Sequence, residues 1–136
     1  MLASMVKRGI ACKAESVSLR VLIVDDNACF LAAARAVLER EGISVAGVAS
    51  NPAEALREAE RLALDVILVD ITLAGESGLE LARRLVEHNR DGERSVILIS
   101  THAESDFADL IADSPAQAFL PKSELSAEAI RHILDS

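Results

Sequence analysis

The chain has 136 residues, 51% hydrophobic and 26% charged, which suits one globular domain and excludes a disordered chain. Its net charge of −8 repels a phosphate backbone, so direct nucleic-acid binding is not expected, and Lys7, Arg8 and Lys13 are too few to reverse that. No apolar run is long enough to span a bilayer, and the basic first residues lack the apolar stretch of a signal peptide.

Aromatic residues are only 2%, with no Trp or Tyr, so the core has to be built from Ala, Val, Leu and Ile. Cys12 and Cys29 have neither metal nor redox spacing and read as reduced thiols of a cytoplasmic protein. Residues 1–18 show no sustained periodicity and read as a flexible tail, with Met5 a second possible start. The domain is expected over 19–136.

From Leu19 onward, five short apolar runs alternate with helical patterns. The first, Arg20 to Val24, is apolar on both faces, as a central parallel strand must be, and ends in Asp25-Asp26-Asn27. A helix is predicted from about Asn27 to Glu41, with Phe30, Ala33, Ala34, Val37 and Leu38 at helical spacing, Asn27 as cap and Gly42 as stop. The second run is Ile43 to Val48. Ser50 or Asn51 caps the next helix, which carries Pro52 in its first turn and reaches about Leu62.

The third run, Asp65 to Asp70, is followed by a loop from Ile71 to Ser77 and a helix from Gly78 to near His88. The fourth, Val96 to Ile99, closes on Ser100-Thr101, and a short helix is predicted over about Ser105 to Ala112. The fifth, Ala118 to Leu120, leads into Pro121-Lys122 and a last helix from about Ser126 to Leu134. This alternation predicts an α/β fold, a five-stranded parallel sheet in the flavodoxin-like order 2-1-3-4-5 with helices on both faces.

In such sheets ligands bind at the carboxyl ends of the strands, beside the switch in strand order. Asp25, Asp26, Asp70, Ser100 and Lys122 all fall at those ends, and the predicted order brings them together. Converging carboxylates repel by several kcal/mol at ~4 Å. A hard divalent cation with oxygen ligands, Mg²⁺ above all, offsets that charge and accepts phosphate oxygens. Acids, metal, Lys and hydroxyl together suit phosphoryl transfer.

These residues resemble the signature of response-regulator receiver domains. That signature is an acidic pair after strand 1, a phosphoacceptor Asp after strand 3, Ser or Thr after strand 4 and Lys after strand 5. The spacings of 45, 30 and 22 residues, counted from Asp25, are also similar to the family's. The likeness covers about residues 19–136, and Ala118 to Leu125 is similar to a form frequent among actinobacterial receivers.

The resemblance implies that Asp70 is the nucleophile, phosphorylated by a sensor histidine kinase or a phosphotransfer protein docked near Ala28, Cys29 and Ala32. It implies Asp26 as a direct Mg²⁺ ligand, Asp25 as a second or water-mediated one, and Thr72 as the donor of a backbone carbonyl. Ser100 and Lys122 would bind the phosphoryl group, with Lys122 paired to Asp70 beforehand. Phe119 stands where the family carries a switch aromatic, and reads equally as a core residue. Thr101, where the family often has Ala or Gly, would narrow the access of water and lengthen the life of the phosphate.

Other positions depart from the pattern. Ala74 replaces a frequent Pro. Pro121 precedes Lys122, so the family's cis Lys–Pro bond cannot form, although Leu120–Pro121 is open to the cis form. Asp106, Asp109, Asp113, Glu124 and Glu128 make the face of the fourth helix and its neighbours acidic, which opposes dimerisation through paired opposite charges. His88, His102 and His132 share no ligand spacing and read as surface residues.

The alternative function is a phosphorylation-independent binding module on the same fold. A phosphatase of the haloacid dehalogenase type is disfavoured because Thr72 stands where its second acid belongs. A nucleotide-binding Rossmann domain is disfavoured because no Gly-rich loop follows the first strand. The chain ends after the fifth helix, so the readout is expected through a separate protein or the rest of a longer chain.

Overall fold

The β-branched runs form the strands that their pattern predicts, and the polar residue ending each run marks where the strand stops. The computed structural model describes residues 19–73, 76–88, 94–101, 116 and 118–135. The tail with Cys12, Ala74 and Gly75, His102, the short helix expected over 105–112 and Asp106, Asp109 and Asp113 lie outside the described residues.

In chain order the elements are β1 (Arg20–Val24), α1 (Ala28–Arg40), β2 (Ser44–Ala49), α2 (Pro52–Arg61), β3 (Val66–Asp70), β4 (Thr72–Leu73), β5 (Glu76–Ser77), α3 (Gly78–Glu87), β6 (Ser95–Ser100), β7 (Ala118–Pro121), a 3₁₀ turn (Lys122–Glu124) and α4 (Ala127–Leu134). The main sheet runs β2-β1-β3-β6-β7, and all its pairings are parallel. With the small β4–β5 ribbon set aside, this is the expected 2-1-3-4-5 order.

The segment read as a loop from Ile71 to Ser77 holds that antiparallel ribbon, with Thr72 opposite Ser77 and Leu73 opposite Glu76. Two-residue strands are too short to print an alternation on the sequence. No peptide bond among the described residues is cis, so Leu120–Pro121 is trans.

Successive strand residues alternate between two cores. Leu22, Val24, Ile67, Val69, Val96 and Leu98 pack against Ala55 and Ala59 of α2 and Leu81, Ala82 and Leu85 of α3. Val21, Ile23, Val66, Leu68, Ile97 and Ile99 pack on the other face, against Ala34 and Leu38 of α1 and Ala127 and Ile130 of α4. Covering both faces buries all five residues of β3, the middle strand.

The helix ends follow from local chemistry. The side chains of Asn27, Asn51, Ser77 and Ser126 each accept a hydrogen bond from a backbone N–H in the first turn of α1, α2, α3 and α4. Of the two expected caps for α2, Asn51 is the cap, while Ser50 binds the Glu54 carboxylate through both its N–H and its hydroxyl. Gly42 ends α1 with φ +93°, a conformation that favours glycine. Glu41 then reaches across to accept the Ala127 N–H at 2.7 Å, tying the end of α1 to the start of α4.

Candidate functional site

Register brings the acids together. Val24 is paired with Val69, and Asp25 and Asp70 each follow directly at the carboxyl edge of neighbouring strands. Asp70 pairs with Ile99 on β6. Ser100, the last residue of β6, pairs with Pro121, and Lys122 comes next. Carboxylate oxygens of Asp25, Asp26 and Asp70 lie within 4.8 Å of one another.

The adjacent acids Asp25 and Asp26 occupy different environments. Asp25 is fully buried, whereas Asp26 is exposed. Asp25 Oδ1 accepts the Asn27 N–H at 2.8 Å, and its Oδ2 forms an ion pair with Lys122 Nζ. Beyond that ion pair the buried Oδ2 has no hydrogen-bond partner. Lys122 also reaches Asp70 Oδ2 at 3.4 Å. The expected Lys122–Asp70 pair is therefore present, but Asp25 is the closer partner. Lys122 is only 10% exposed in its side chain, which rules out an ordinary solvated lysine.

Asp70 Oδ1 accepts the Thr72 N–H at 3.2 Å. Burial holds the Asp70 carboxyl above its ordinary pKa, and the Asp25 charge adds to the rise. The Lys122 charge, the Thr72 N–H and the Lys122 hydrogen bond oppose it. A carboxyl that holds its proton more tightly when folded costs stability as pH rises through the window between its unfolded and folded pKa, and the full cost remains above that window. In metal-free buffer Asp70→Asn is expected to stabilise the protein at neutral pH, because it removes a carboxylate whose charged form the fold disfavours. Urea denaturation over a pH series should show this gain fading as the solution becomes acid enough to protonate Asp70. A gain independent of pH would refute the charge explanation.

Ser100 is buried at the rim of this site, and Thr101 beside it is exposed. Thr72 is exposed. Phe119 is half-buried and packs on the core shared by α2 and α3, while the next residue, Leu120, belongs to the opposite core. Cys29 is a free, exposed thiol on α1. His88 and His132 are exposed, as expected of surface residues.

Helical spacing marks Phe30 only as a core-facing residue of α1. The structure places its ring under the Lys122 ammonium, 4.4 Å from Nζ to the ring centroid. No local signal could have paired them, because the sheet has to form before positions 30 and 122 meet. Gly78 is a second residue whose role depends on tertiary structure. Its N–H donates to the Ile71 carbonyl at 2.8 Å, and a Cβ built on it would lie 1.8 Å from the Asp70 carbonyl oxygen.

The donor set fits a divalent cation. Three carboxylates converge, one carries a buried oxygen lacking a hydrogen bond, and one is open to solvent. Among the described residues no helix is long and apolar enough to cross a membrane.

The model of the response regulator receiver domain family matches residues 21–135. The nitrate/nitrite response regulator protein NarP of Escherichia coli strain K12 is 38% identical over 123 residues, covering 86% of this chain and 55% of that protein. This chain spans about half the length of the curated relatives it matches. The signal receiver domain of the putative response regulator NarL from Mycobacterium tuberculosis superposes with a TM-score of 0.73 at 27% identity, covering 87% of this chain and 94% of that one. A response regulator from Burkholderia pseudomallei, solved with a phosphorylated aspartic acid, a calcium ion and citrate, superposes with a TM-score of 0.72 at 29% identity, covering 86% and 66%.

Proposed function

We propose that this chain, which belongs to the response regulator receiver domain family, takes a phosphoryl group on Asp70 and passes the signal on through a change of surface. The observation that carries this reading is the nearly buried Asp70 carboxylate, beside two more acids and facing a buried lysine. The Burkholderia relative, solved with a phosphorylated aspartic acid and calcium ion, supports the same chemistry.

The donor is a phosphohistidine of a sensor histidine kinase or phosphotransfer protein, seated on the exposed start of α1 at Ala28, Cys29 and Ala32. An Asp70 carboxylate oxygen attacks phosphorus. An O–P bond forms, the P–N bond breaks, and the imidazole leaves with the electron pair and takes up a proton. Asp26, Asp70, Asp25 and the Thr72 carbonyl would hold Mg²⁺, which supplies charge neutralisation to the transferring group.

Lys122 and Ser100 then bind phosphoryl oxygens. Drawing them to the new group shifts the ends of β6 and β7, and Phe119, which packs on the core shared by α2 and α3, carries the shift to a partner surface. Thr101 narrows the approach of water. The protein has no separate substrate to turn over and acts in the cytoplasm, on a downstream protein or on the rest of a longer chain.

Intact mass after incubation with acetyl phosphate and Mg²⁺ tests this reading. Wild type should gain one phosphoryl group, while Asp70→Asn or wild type in excess chelator should gain none. After donor removal the adduct should decay faster in Thr101→Ala. No adduct on wild type would overturn the reading in favour of a phosphorylation-independent binding module.

A further inference from the structure

Lys122 is held by more than its two carboxylates. Its ammonium lies 4.4 Å from the centroid of the Phe30 ring, well inside the ~6 Å reach of a cation–π contact. The arrangement closes on itself. Asp25 binds Lys122 through Oδ2 and the Asn27 N–H through Oδ1. The Asn27 side chain accepts the Phe30 N–H at 3.1 Å, fixing the first turn of α1. Phe30 is half-buried against the core that α1 shares with α4, and its face meets the ammonium again.

We infer that Phe30 is a positioning residue for Lys122, its ring holding the ammonium between Asp25 and Asp70 so that it is in place for the phosphoryl oxygen. This rests on Asp70 being the phosphoacceptor. Two anions alone do not centre a cation on the long, flexible stem of a lysine, since either can draw it away from the other. The ring adds an attraction from a third direction without adding charge. Lys122 is nearly desolvated there, and desolvation strengthens such a contact.

The chain has three lysines, at positions 7, 13 and 122, so ¹³C labelling at Lys Cε gives a sparse spectrum. One signal should be shifted upfield by the ring current in wild type and Phe30→Tyr, and should lose that shift in Phe30→Leu. This needs no phosphodonor and therefore tests the contact even where the acceptor reading fails. With acetyl phosphate and Mg²⁺, Phe30→Leu should be phosphorylated about three- to tenfold more slowly than wild type, and Phe30→Tyr within about twofold of it.

In the Lys122→Met background, Phe30→Leu should cause no further slowing, because its target has gone. An absent ring-current shift would overturn the inference. So would a Phe30→Leu rate equal to wild type, or equal slowing by Phe30→Leu with and without Lys122. Failure of wild type to take a phosphoryl group would instead overturn the acceptor reading.

Discussion

Lys122→Met is expected to destabilise the metal-free protein by about 3 kcal/mol, the size of effect that follows when one member of a buried ion pair is removed and the other stays charged. Asp25 is fully buried and nine-tenths of the Lys122 side chain is buried with it. Asp70 and Asp26 add their charge within 4.8 Å. At that separation two unit charges repel by roughly 3–4 kcal/mol at an effective dielectric of 20. Met fills much the same space as the lysine stem, so the loss reports charge rather than volume. The effect has three signatures: in urea denaturation it should be large in chelator, shrink when millimolar Mg²⁺ is added, and fade at acid pH as carboxylates take up protons. Arg35→Met is the contrast. That arginine pairs with Glu39 on an exposed turn of α1, with about half of each side chain in water, and the pair is expected to contribute about 0.5 kcal/mol or less. Equal losses in the two variants would mean that Lys122 does not neutralise the cluster.

The convergence of these charges was legible in the sequence because period and punctuation agree. Val21 to Val24, Val66 to Val69 and Val96 to Ile99 are runs that only a strand covered on both faces tolerates, and each is followed by a polar residue. Parallel topology then puts those residues on one edge. The depth of each acid was not legible. Asp25 and Asp26 are neighbours of identical chemistry, and which one turns inward is decided by the strand-to-helix turn, where Asp25 accepts the Asn27 N–H. The closer pairing of Lys122 with Asp25 follows from that turn. The bulge that shifts the β1–β2 register between Val21 and Leu22 was hidden for a related reason. The expected β2 run is apolar throughout apart from Ser44 and Gly47, so no alternation marks the extra residue. Phe30 and Gly78 have ordinary local patterns, and their partners lie on other elements.

Gly78→Ala is expected to slow phosphorylation of Asp70 on the order of a hundredfold and to cost about 3 kcal/mol of stability. At this point the start of α3 crosses the end of β3 backbone to backbone. A Cβ on residue 78 would meet Asp70 O at 1.8 Å, Asp70 C at 2.7 Å and Ile71 Cα at 2.9 Å. None of these is the tip of a flexible side chain, so α3 or the β3 end has to move. The stability cost is that of an overpacked core site, at the upper end because backbone must yield. The kinetic cost follows because the displaced residue carries the proposed nucleophile, and a misplacement of about 1 Å is enough for a hundredfold loss. Two other glycines separate stability from position. At Gly47 the nearest atom is the Leu62 Cδ1 methyl at 3.0 Å, which can rotate away, so Gly47→Ala should be mild. At Gly42 the left-handed φ of +93° makes Gly42→Ala cost about 1 kcal/mol, far from Asp70. Stopped phosphorylation assays on folded protein should therefore rank Gly78→Ala far below Gly42→Ala, although both are destabilised. If the two are phosphorylated at the same rate, the crossing of α3 over β3 does not set the position of Asp70.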